Sequence, residues 1–483
     1  MYRCARVVSL IAATAAWIQT TAAEDAGDNI NSVRDLPPDT AEVVVDLDAV
    51  VGPIKPMNAV NDGPIRPRGD QKRSCWREFE ALQVPFARTH DAASVYDYGG
   101  SHMGDVTCIF PDFSADEDDP ANYDFALTDW MLGQWREAGV EPFFRLGQTI
   151  EHWPHKYGTL PPHDFAKWAR VCEHIIRHYN EGWANGRRWN IRYWEIWNEP
   201  DLDTDDSANK RCWGGTKASF FEFYATAAKH LKSRFPQLRI GGPALAYREA
   251  WARDFLAFCR MHELPLDFFS WHGYNCEISR VTQRVRLFRK MLDDAGFTKT
   301  ESIFNEWNYN MDWSDGFQRS TTVRRGQKGA AYVMGVMSAC QDEPVDMLMY
   351  YDLRPSPTWN GVFDAVTYAP DKPYWAFYAW NRLAKAGTQV SVRLTGEVRE
   401  LTAVAAKNVN GRPVIVINRY ANDDNVYRHR TVRVMVRNRP FVRGIVKLVD
   451  SRFAYGETVY PVKGGAIELD LEPNAFAVME DCW

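Results

Sequence analysis

Short apolar runs alternate with longer stretches in which apolar residues recur every three to four positions from Val51 onward. Strand-like runs fall near 52–57, 84–90, 141–147, 191–198, 238–243, 267–273, 301–306 and 345–352. Helical periodicity follows each of them, near 70–83, 124–138, 163–181, 216–235, 249–262, 279–295, 325–342 and 374–386. Eight strand-then-helix repeats predict a (β/α)8 barrel of the TIM type over residues 41–386, with its working face at the carboxyl ends of the strands. After Ala386-Gly387 the period drops to two. Val390-Ser-Val-Arg-Leu, Leu401-Thr-Ala-Val-Ala, Pro413-Val-Ile-Val-Ile-Asn, Thr431-Val-Arg-Val-Met-Val and Ala466-Ile-Glu-Leu-Asp-Leu alternate, with Asn410-Gly411 as a turn between strands. Residues 387–483 therefore read as an appended β-sandwich. The segment 42–48 has the same alternation ahead of the barrel and is read as a strand that crosses over to join the sandwich.

The chain has 483 residues, more than a single core of roughly 250–300 residues accommodates, which agrees with two domains. Hydrophobic and charged fractions are ordinary, but aromatic residues at 13% and 19 Trp are high, as expected where sugar rings are stacked. A net charge of −6 with no run of five basic residues argues against nucleic acid or an anionic membrane as partner. Residues 1–23 carry Arg3 and Arg6, an apolar stretch from Val7 to Ile18, and Thr21-Ala22-Ala23, the pattern of a signal peptide. A polar leader, 24–40, follows. Export to the periplasm or the medium is expected, with no membrane insertion, because no other apolar stretch approaches the roughly 18 residues of a span. Nine cysteines leave eight after the signal. They are widely spaced and without Cys-x-x-Cys, so a zinc site is not expected and any disulfide pairing is unreadable.

Two glutamates stand out. Glu199 closes Tyr193-Trp-Glu-Ile-Trp-Asn-Glu-Pro200, and Glu306 lies in Ile303-Phe-Asn-Glu-Trp-Asn308. By the strand count they end strands four and seven, so both carboxyls face one cleft beside Trp and Asn. Sugar rings stack on Trp and their hydroxyls bond to Asn, while paired carboxyls cleave a glycosidic bond. If one carboxylate attacks the anomeric carbon while the other protonates the departing oxygen, the acid must keep its proton near neutral pH. Trp197 and Pro200 offer Glu199 an apolar pocket for that purpose, and Asn198 is placed to hold a hydroxyl. Glu195 reads as a buried, paired carboxylate. Phosphate-binding, zinc-protease, nucleophile-elbow and dinucleotide motifs are missing from the sequence, so no metal, nucleotide or other cofactor is expected.

Asn-Glu-Pro ending strand four with a second Glu ending strand seven resembles the clan A retaining glycosidases. Trp194-Glu-Ile-Trp-Asn-Glu-Pro-Asp-Leu202, Arg88-Thr-His-Asp91 and Trp271-His-Gly-Tyr-Asn275 are similar, more specifically, to glycoside hydrolase family 39, the family of β-xylosidases and α-L-iduronidase. The resemblance implies Glu199 as general acid/base and Glu306 as nucleophile. It further implies that His272 contacts a substrate hydroxyl, that Tyr274 orients the nucleophile, and that His90 and Asp91 line the glycone pocket. Trp359 is the candidate stacking wall after strand eight, and Arg88 is read as a group that holds carboxylates. A glycoside or oligosaccharide is the implied partner. A neutral β-xyloside is the first substrate reading. Arabinosides and galactosides stay open, and a uronic acid would need a cation from Lys210-Arg211 or Arg324-Arg325. A catalytically idle sugar-binding protein is the reading of a different class.

Overall fold

The computed structural model describes residues 40–66, 74–92 and 102–483. The expected signal peptide and all but the last residue of the leader lie outside the described residues. After β1 (Thr40–Pro53), eight parallel strands close a barrel in sequence order. They are β2 (Ala59–Asn61), β3 (Phe86–Arg88), β4 (Glu141–Leu146), β5 (Tyr193–Ile196), β6 (Arg239–Leu245), β7 (Phe268–Asn275), β8 (Glu301–Tyr309) and β9 (Met347–Tyr350). The first barrel strand corrects the expectation of 52–57. Val50, Gly52 and Pro53 pair instead with Val390, Gln389 and Thr388, and Pro53 and Pro56 withhold the N–H groups that an interior strand needs.

Helices α1 (Trp76–Leu82), α2 (Val106–Ile109), α3 (Ala126–Glu137), α4 (Phe165–Asn180), α5 (Lys217–Arg234), α6 (Glu249–Met261), α7 (Ile278–Asp294), α8 (Asp315–Arg325), α9 (Gln327–Gln341) and α10 (Tyr374–Ala386) complete the repeats. The helix expected over 325–342 is α9, and Gly326, extended at ψ −172°, separates it from the preceding α8.

Inside the barrel the strand period of two builds layers. Ala59, Phe86, Phe143, Tyr193, Phe268 and Ile303 form an apolar floor with Met347 and Met349. Gly241 of β6 adds no side chain, and a Cβ there would lie 2.2 Å from the Phe268 carbonyl oxygen. Two residues further along their strands, on the same inner face, stand Asn61, Arg88, Arg145, Glu195, Ser270 and Asn305, all fully buried. The charged layer thus rests on the aromatic floor and supports the mouth above it.

The second domain contains β10 (Thr388–Gly396), β11 (Leu401–Lys407), β12 (Pro413–Arg419), β13 (Arg430–Val436), β14 (Ile445–Val449), β15 (Ala454–Val459), β16 (Val462–Lys463), β17 (Ala466–Leu471) and β18 (Ala475–Met479). With β1 they make one ten-stranded ladder, in the order β15-β14-β18-β12-β11-β10-β1-β13-β17-β16. The crossing strand is therefore real: β1 runs antiparallel to β10 and parallel to β13. Val446 and Leu448 near one end of the ladder share an apolar core with Ile467 and Leu469 near the other, so a single sheet folds across itself as a sandwich does. Alternate residues face the barrel. Val404, Ala406, Val414, Val416, Phe476 and Val478 belong to the barrel's core, whereas Ala405, Ile415, Ile417, Ala477 and Met479 belong to the sheet's own. Among the described residues no helix is long and apolar enough to cross a membrane, and the eight cysteines there are unpaired.

Candidate active site

Arg88 organises the cleft floor. Its Nε donates to Glu195 Oε2 at 2.7 Å, its Nη1 to Asn61 Oδ1 at 3.0 Å and Glu306 Oε1 at 2.8 Å, and its Nη2 to Asn198 Oδ1 at 2.6 Å. Asn305 Nδ2 donates to the other oxygen of Glu195 at 2.5 Å. A guanidinium that satisfies two carboxylates and two amides in a dry interior is what makes burying those carboxylates tolerable. Glu195 is thus the buried, paired group expected from its neighbours, and Arg88 holds carboxylates as read.

Glu199 and Glu306 meet across the mouth. One oxygen of each, with a ring nitrogen of His272, lies within 4.8 Å of the others. His272 Nδ1 shares a hydrogen bond with Glu199 Oε1 at 2.8 Å and stands 3.4 Å from Glu306 Oε2, while the Tyr274 hydroxyl donates to Glu306 Oε2 at 2.8 Å. Tyr274 thus bonds one oxygen of Glu306. One nitrogen of His272 stands between the two carboxyls, and its buried Nε2 has no hydrogen-bond partner in the protein. Two carboxylates and an imidazole are also donors that a divalent ion accepts, but the cation beside Glu306 here is Arg88.

The electrostatics separate the pair. Burial, reinforced by Asp201, pushes the Glu199 carboxyl up to about 8. Burial also raises Glu306, but His272, Arg88 and the Tyr274 hydrogen bond oppose that rise. His272, driven down to about 4 by burial, is neutral near pH 7. Glu199 is therefore the member of the pair that holds its proton near neutral pH.

Strained backbone presents these groups. Trp197 and Glu199 have φ of 73° and 46°, and Asp91 has 58°, each costing of the order of 1–3 kcal/mol. Hydrogen bonds hold the turn: Trp197 N–H to Leu146 O at 2.7 Å, Glu199 N–H to Ala244 O at 2.9 Å, and Trp197 Nε1 to Cys212 O at 2.8 Å. The Asp201 carboxylate accepts from the backbone N–H groups of Ala246, Tyr247 and Arg248 at 2.7–3.0 Å, tying the loop after β5 to the loop after β6.

The far wall comes from the ends of β2, β3 and β9. His90 Nε2 lies 3.5 Å from Asp91 Oδ1 and 3.8 Å from Glu306 Oε1, and burial keeps the ring neutral by lowering its pKa well below the usual range. Tyr351 donates to Asp91 Oδ2 at 2.8 Å. Arg354 bonds Asp352 Oδ2 at 2.8 Å and the Asp91 carbonyl, and lies 3.4 Å from Asp62 Oδ2. Asp62, Asp352 and Arg354 escaped the sequence reading. Placing the first strand too early hid the strand-end position of Asp62, while Asp352 closed the expected run 345–352 without being singled out and Arg354 lies in the loop beyond the strand. Buried atoms without a hydrogen-bond partner gather at these strand ends: Asn198 Nδ2, His90 Nδ1, Asp91 Oδ1, Asp352 Oδ1 and both Asp62 oxygens. That mixture of donors and acceptors is what sugar hydroxyls match.

Trp359 lies beside Tyr274. Its half-buried ring lies 5.0 Å from Tyr274 and 5.9 Å from Trp313, with the Arg324 guanidinium 4.4 Å over it. The four candidate cations are engaged. Arg324 donates to Tyr309 O and Thr358 O, Lys210 to Gly215 O, Arg211 pairs with Asp203 at 2.7 Å, and Arg325 faces Asp364 at 3.5 Å.

Comparison with known proteins agrees with this geometry. The sequence profile of glycosyl hydrolases family 39 matches residues 82–361, more than half of the chain and inclusive of both glutamates. A beta-xylosidase from Geobacillus stearothermophilus is 30% identical over 193 residues, covering 37% of this chain and 36% of that protein, so the match spans about a third of that relative's length. Among solved structures the fold is similar to a glucosidase from Croceicoccus marinus (TM-score 0.73, 21% identity, 91% of this chain and 98% of that one) and to a monomeric beta-xylosidase from Caulobacter crescentus (TM-score 0.65, 17% identity, 90% and 98%).

Proposed function

This chain belongs to glycosyl hydrolases family 39, and on that premise we propose that it hydrolyses the glycosidic bond of a neutral sugar, of β-xyloside type, with retention of configuration. The observation that carries the reading is the pair itself: two carboxyl oxygens within 4.8 Å, with Glu199 raised to about 8 and Glu306 held against Arg88. Retaining enzymes keep their carboxyls ~5–5.5 Å apart and inverting ones ~6.5–9.5 Å, and the approach of these two oxygens falls on the retaining side.

Glu306 attacks the anomeric carbon as Glu199 passes its proton to the departing oxygen, giving a glycosyl ester on Glu306. Glu199, now ionised, takes a proton from water, which attacks the same carbon and frees Glu306. Asn198 Nδ2 and His272 Nε2, buried without protein partners, are the groups we assign to sugar hydroxyls beside the reacting carbon. The neutral glycone follows from the cation census, because Arg354, Arg324, Arg211, Arg325 and Lys210 each have a protein acceptor, and a uronate would have to compete for one of them. The likeness to a named beta-xylosidase supports xylose as the first sugar to try. Export remains part of the proposal on the strength of residues 1–23 alone.

Release of nitrophenol from β-D-xyloside, β-D-glucoside, β-D-galactoside, α-L-arabinofuranoside and α-L-iduronide tests the reading. Turnover of the xyloside, abolished by Glu306→Ala, is the expected result. Turnover of the iduronide alone would overturn the neutral glycone. Silence across the panel from a folded protein that still binds sugar would make it the idle binding protein.

A further inference from the structure

Two side chains cover the carboxyl of Glu199, one on each oxygen. His272 Nδ1 bonds Oε1 at 2.8 Å, and Cys212 Sγ meets Oε2 at 4.0 Å. Cys212 lies in the loop after β5 and is 4% exposed. The charged and titratable groups around Glu199 are Arg88 of β3, Asp91 beyond its end, Asp201 and Arg211 of the loop after β5, His272 of β7 and Glu306 of β8. The sulfur adds a neutral, polarisable surface to this ring of groups.

Backbone contacts fix the place of the thiol. The Cys212 carbonyl accepts from Trp197 Nε1 at 2.8 Å. Arg211, just before it, donates its N–H to Asp203 Oδ2 and its Nη2 to Asp203 Oδ1, both at 2.7 Å, and its carbonyl accepts from Glu151 N–H at 2.9 Å. The loops after β4 and β5 thus clamp the sulfur against the acid. Burial, reinforced by the charge of Glu199, pushes the thiol well above its usual range, so the group stays S–H and is no nucleophile.

His272 Nδ1 faces an oxygen of each glutamate, at 2.8 and 3.4 Å, the surroundings of a ring nitrogen that carries its hydrogen. Oε1 then accepts from the ring, and the proton of the neutral acid rests on Oε2, the oxygen beside the sulfur. A thiol is a weak acceptor and a weak donor. It neither detains that proton nor stabilises the carboxylate left by its transfer as strongly as a hydroxyl would, because bonds to charged groups are the stronger ones.

We infer that Cys212 is a positioning residue for the acid step: its thiol walls the Oε2 side of Glu199 with a surface that leaves the proton free to pass to the departing oxygen. The inference rests on the proposed function and deepens it.

The test is kcat/KM against pH for phenyl and 2,4-dinitrophenyl β-D-xylosides, with the full chain and its Cys212→Ser, Cys212→Thr and Cys212→Ala variants. The phenyl leaving group needs the acid's proton and the dinitrophenyl one does not. Cys212→Ser is expected to lower the alkaline limb by about one pH unit, the equivalent of one hydrogen bond to a charged group. At pH 8, where Glu199 is half protonated, that shift leaves about one molecule in eleven protonated and slows the phenyl xyloside about fivefold. The dinitrophenyl xyloside should change by less than about twofold. Cys212→Thr supplies the same hydroxyl if the serine variant does not fold. Cys212→Ala, which removes the wall without adding a donor, is expected to slow the phenyl xyloside by about threefold or more with the limb unmoved. An unmoved limb in a folded hydroxyl variant, an equal shift in Cys212→Ala, or a Cys212→Ala variant identical to the unmodified chain overturns the role of Cys212 and leaves the proposed function standing. If the unmodified chain turns over neither xyloside, the proposed function falls and this inference with it.

Discussion

Replacing Arg88 by Leu removes the one guanidinium shared by Glu195 and Glu306 and leaves Asn61 Oδ1 and Asn198 Oδ1 without their donor. All four bonds have the charged guanidinium as donor, and hydrogen bonds to charged groups contribute ~1.5–3 kcal/mol. The four bonds would then sum to roughly 6–12 kcal/mol if they were additive, which shared partners are not. Glu195 keeps Asn305 and Glu306 keeps Tyr274, and Glu306 can escape its charge by taking a proton. The expected loss is therefore about 3–5 kcal/mol near pH 8, as for breaking a buried pair. The sign with pH follows from Glu306. Its carboxyl is already raised by burial against the pull of His272 and Arg88, and without Arg88 it rises further. A raised group stabilises the fold fully at low pH and loses that contribution as pH climbs through its folded pKa. The penalty of the variant should thus shrink toward acid pH by about 1.4 kcal/mol per unit for each proton taken up. Urea unfolding followed by tryptophan fluorescence at pH 5.5 and 8.0 measures this directly. A penalty below about 1 kcal/mol, or one identical at the two pH values, would refute Arg88 as the counter-charge of the floor.

Three further outcomes follow from the same geometry. Asp201→Asn removes a negative charge that helps raise Glu199 to about 8, so the alkaline limb of kcat/KM that Glu199 is expected to set should move to lower pH; an unmoved limb would assign it to another group. Tyr274→Phe deletes the donor to Glu306 Oε2 and should lower kcat by about 10- to 100-fold, since a bond to a charged group contributes ~1.5–3 kcal/mol, while shifting the acid limb upward; a change in KM alone would argue that Tyr274 only shapes the pocket. At the seam between the domains, Phe476→Ala should cost about 3–5 kcal/mol in thermal or chemical unfolding, because Phe476 is fully buried in the barrel's core although it stands on the sheet; a loss under 1 kcal/mol would show that the seam collapses without it.

Much of the molecule was legible along the chain because it is written locally. The period of each segment announced barrel and sheet, and a carboxylate closing an apolar run identified Glu199 and Glu306 before any contact was known. Even the crossing strand showed its alternation at Val43 to Leu47. Failures came where local pattern is weak. A three-residue strand, Ala59–Asn61, has too few positions to display a period, so Asn61 and Asp62 were not recognised as strand ends, and Asp352 and Arg354 sit beyond the last periodic residue of β9. Sequence by itself determined which residues have the chemistry and which face of which strand they occupy, since both follow from residue type and a period of two. Only the tertiary structure decided who meets whom. Closure of the barrel brings Arg88, Glu195, Asn198 and Glu306 together from β3, the region of β5 and β8, and it alone sets the burial that divides proton from charge between two glutamates. The partners of Arg324 and Arg325, the Thr358 carbonyl and Asp364, are likewise products of long-range packing, because neither cation can be assigned them until the chain has folded.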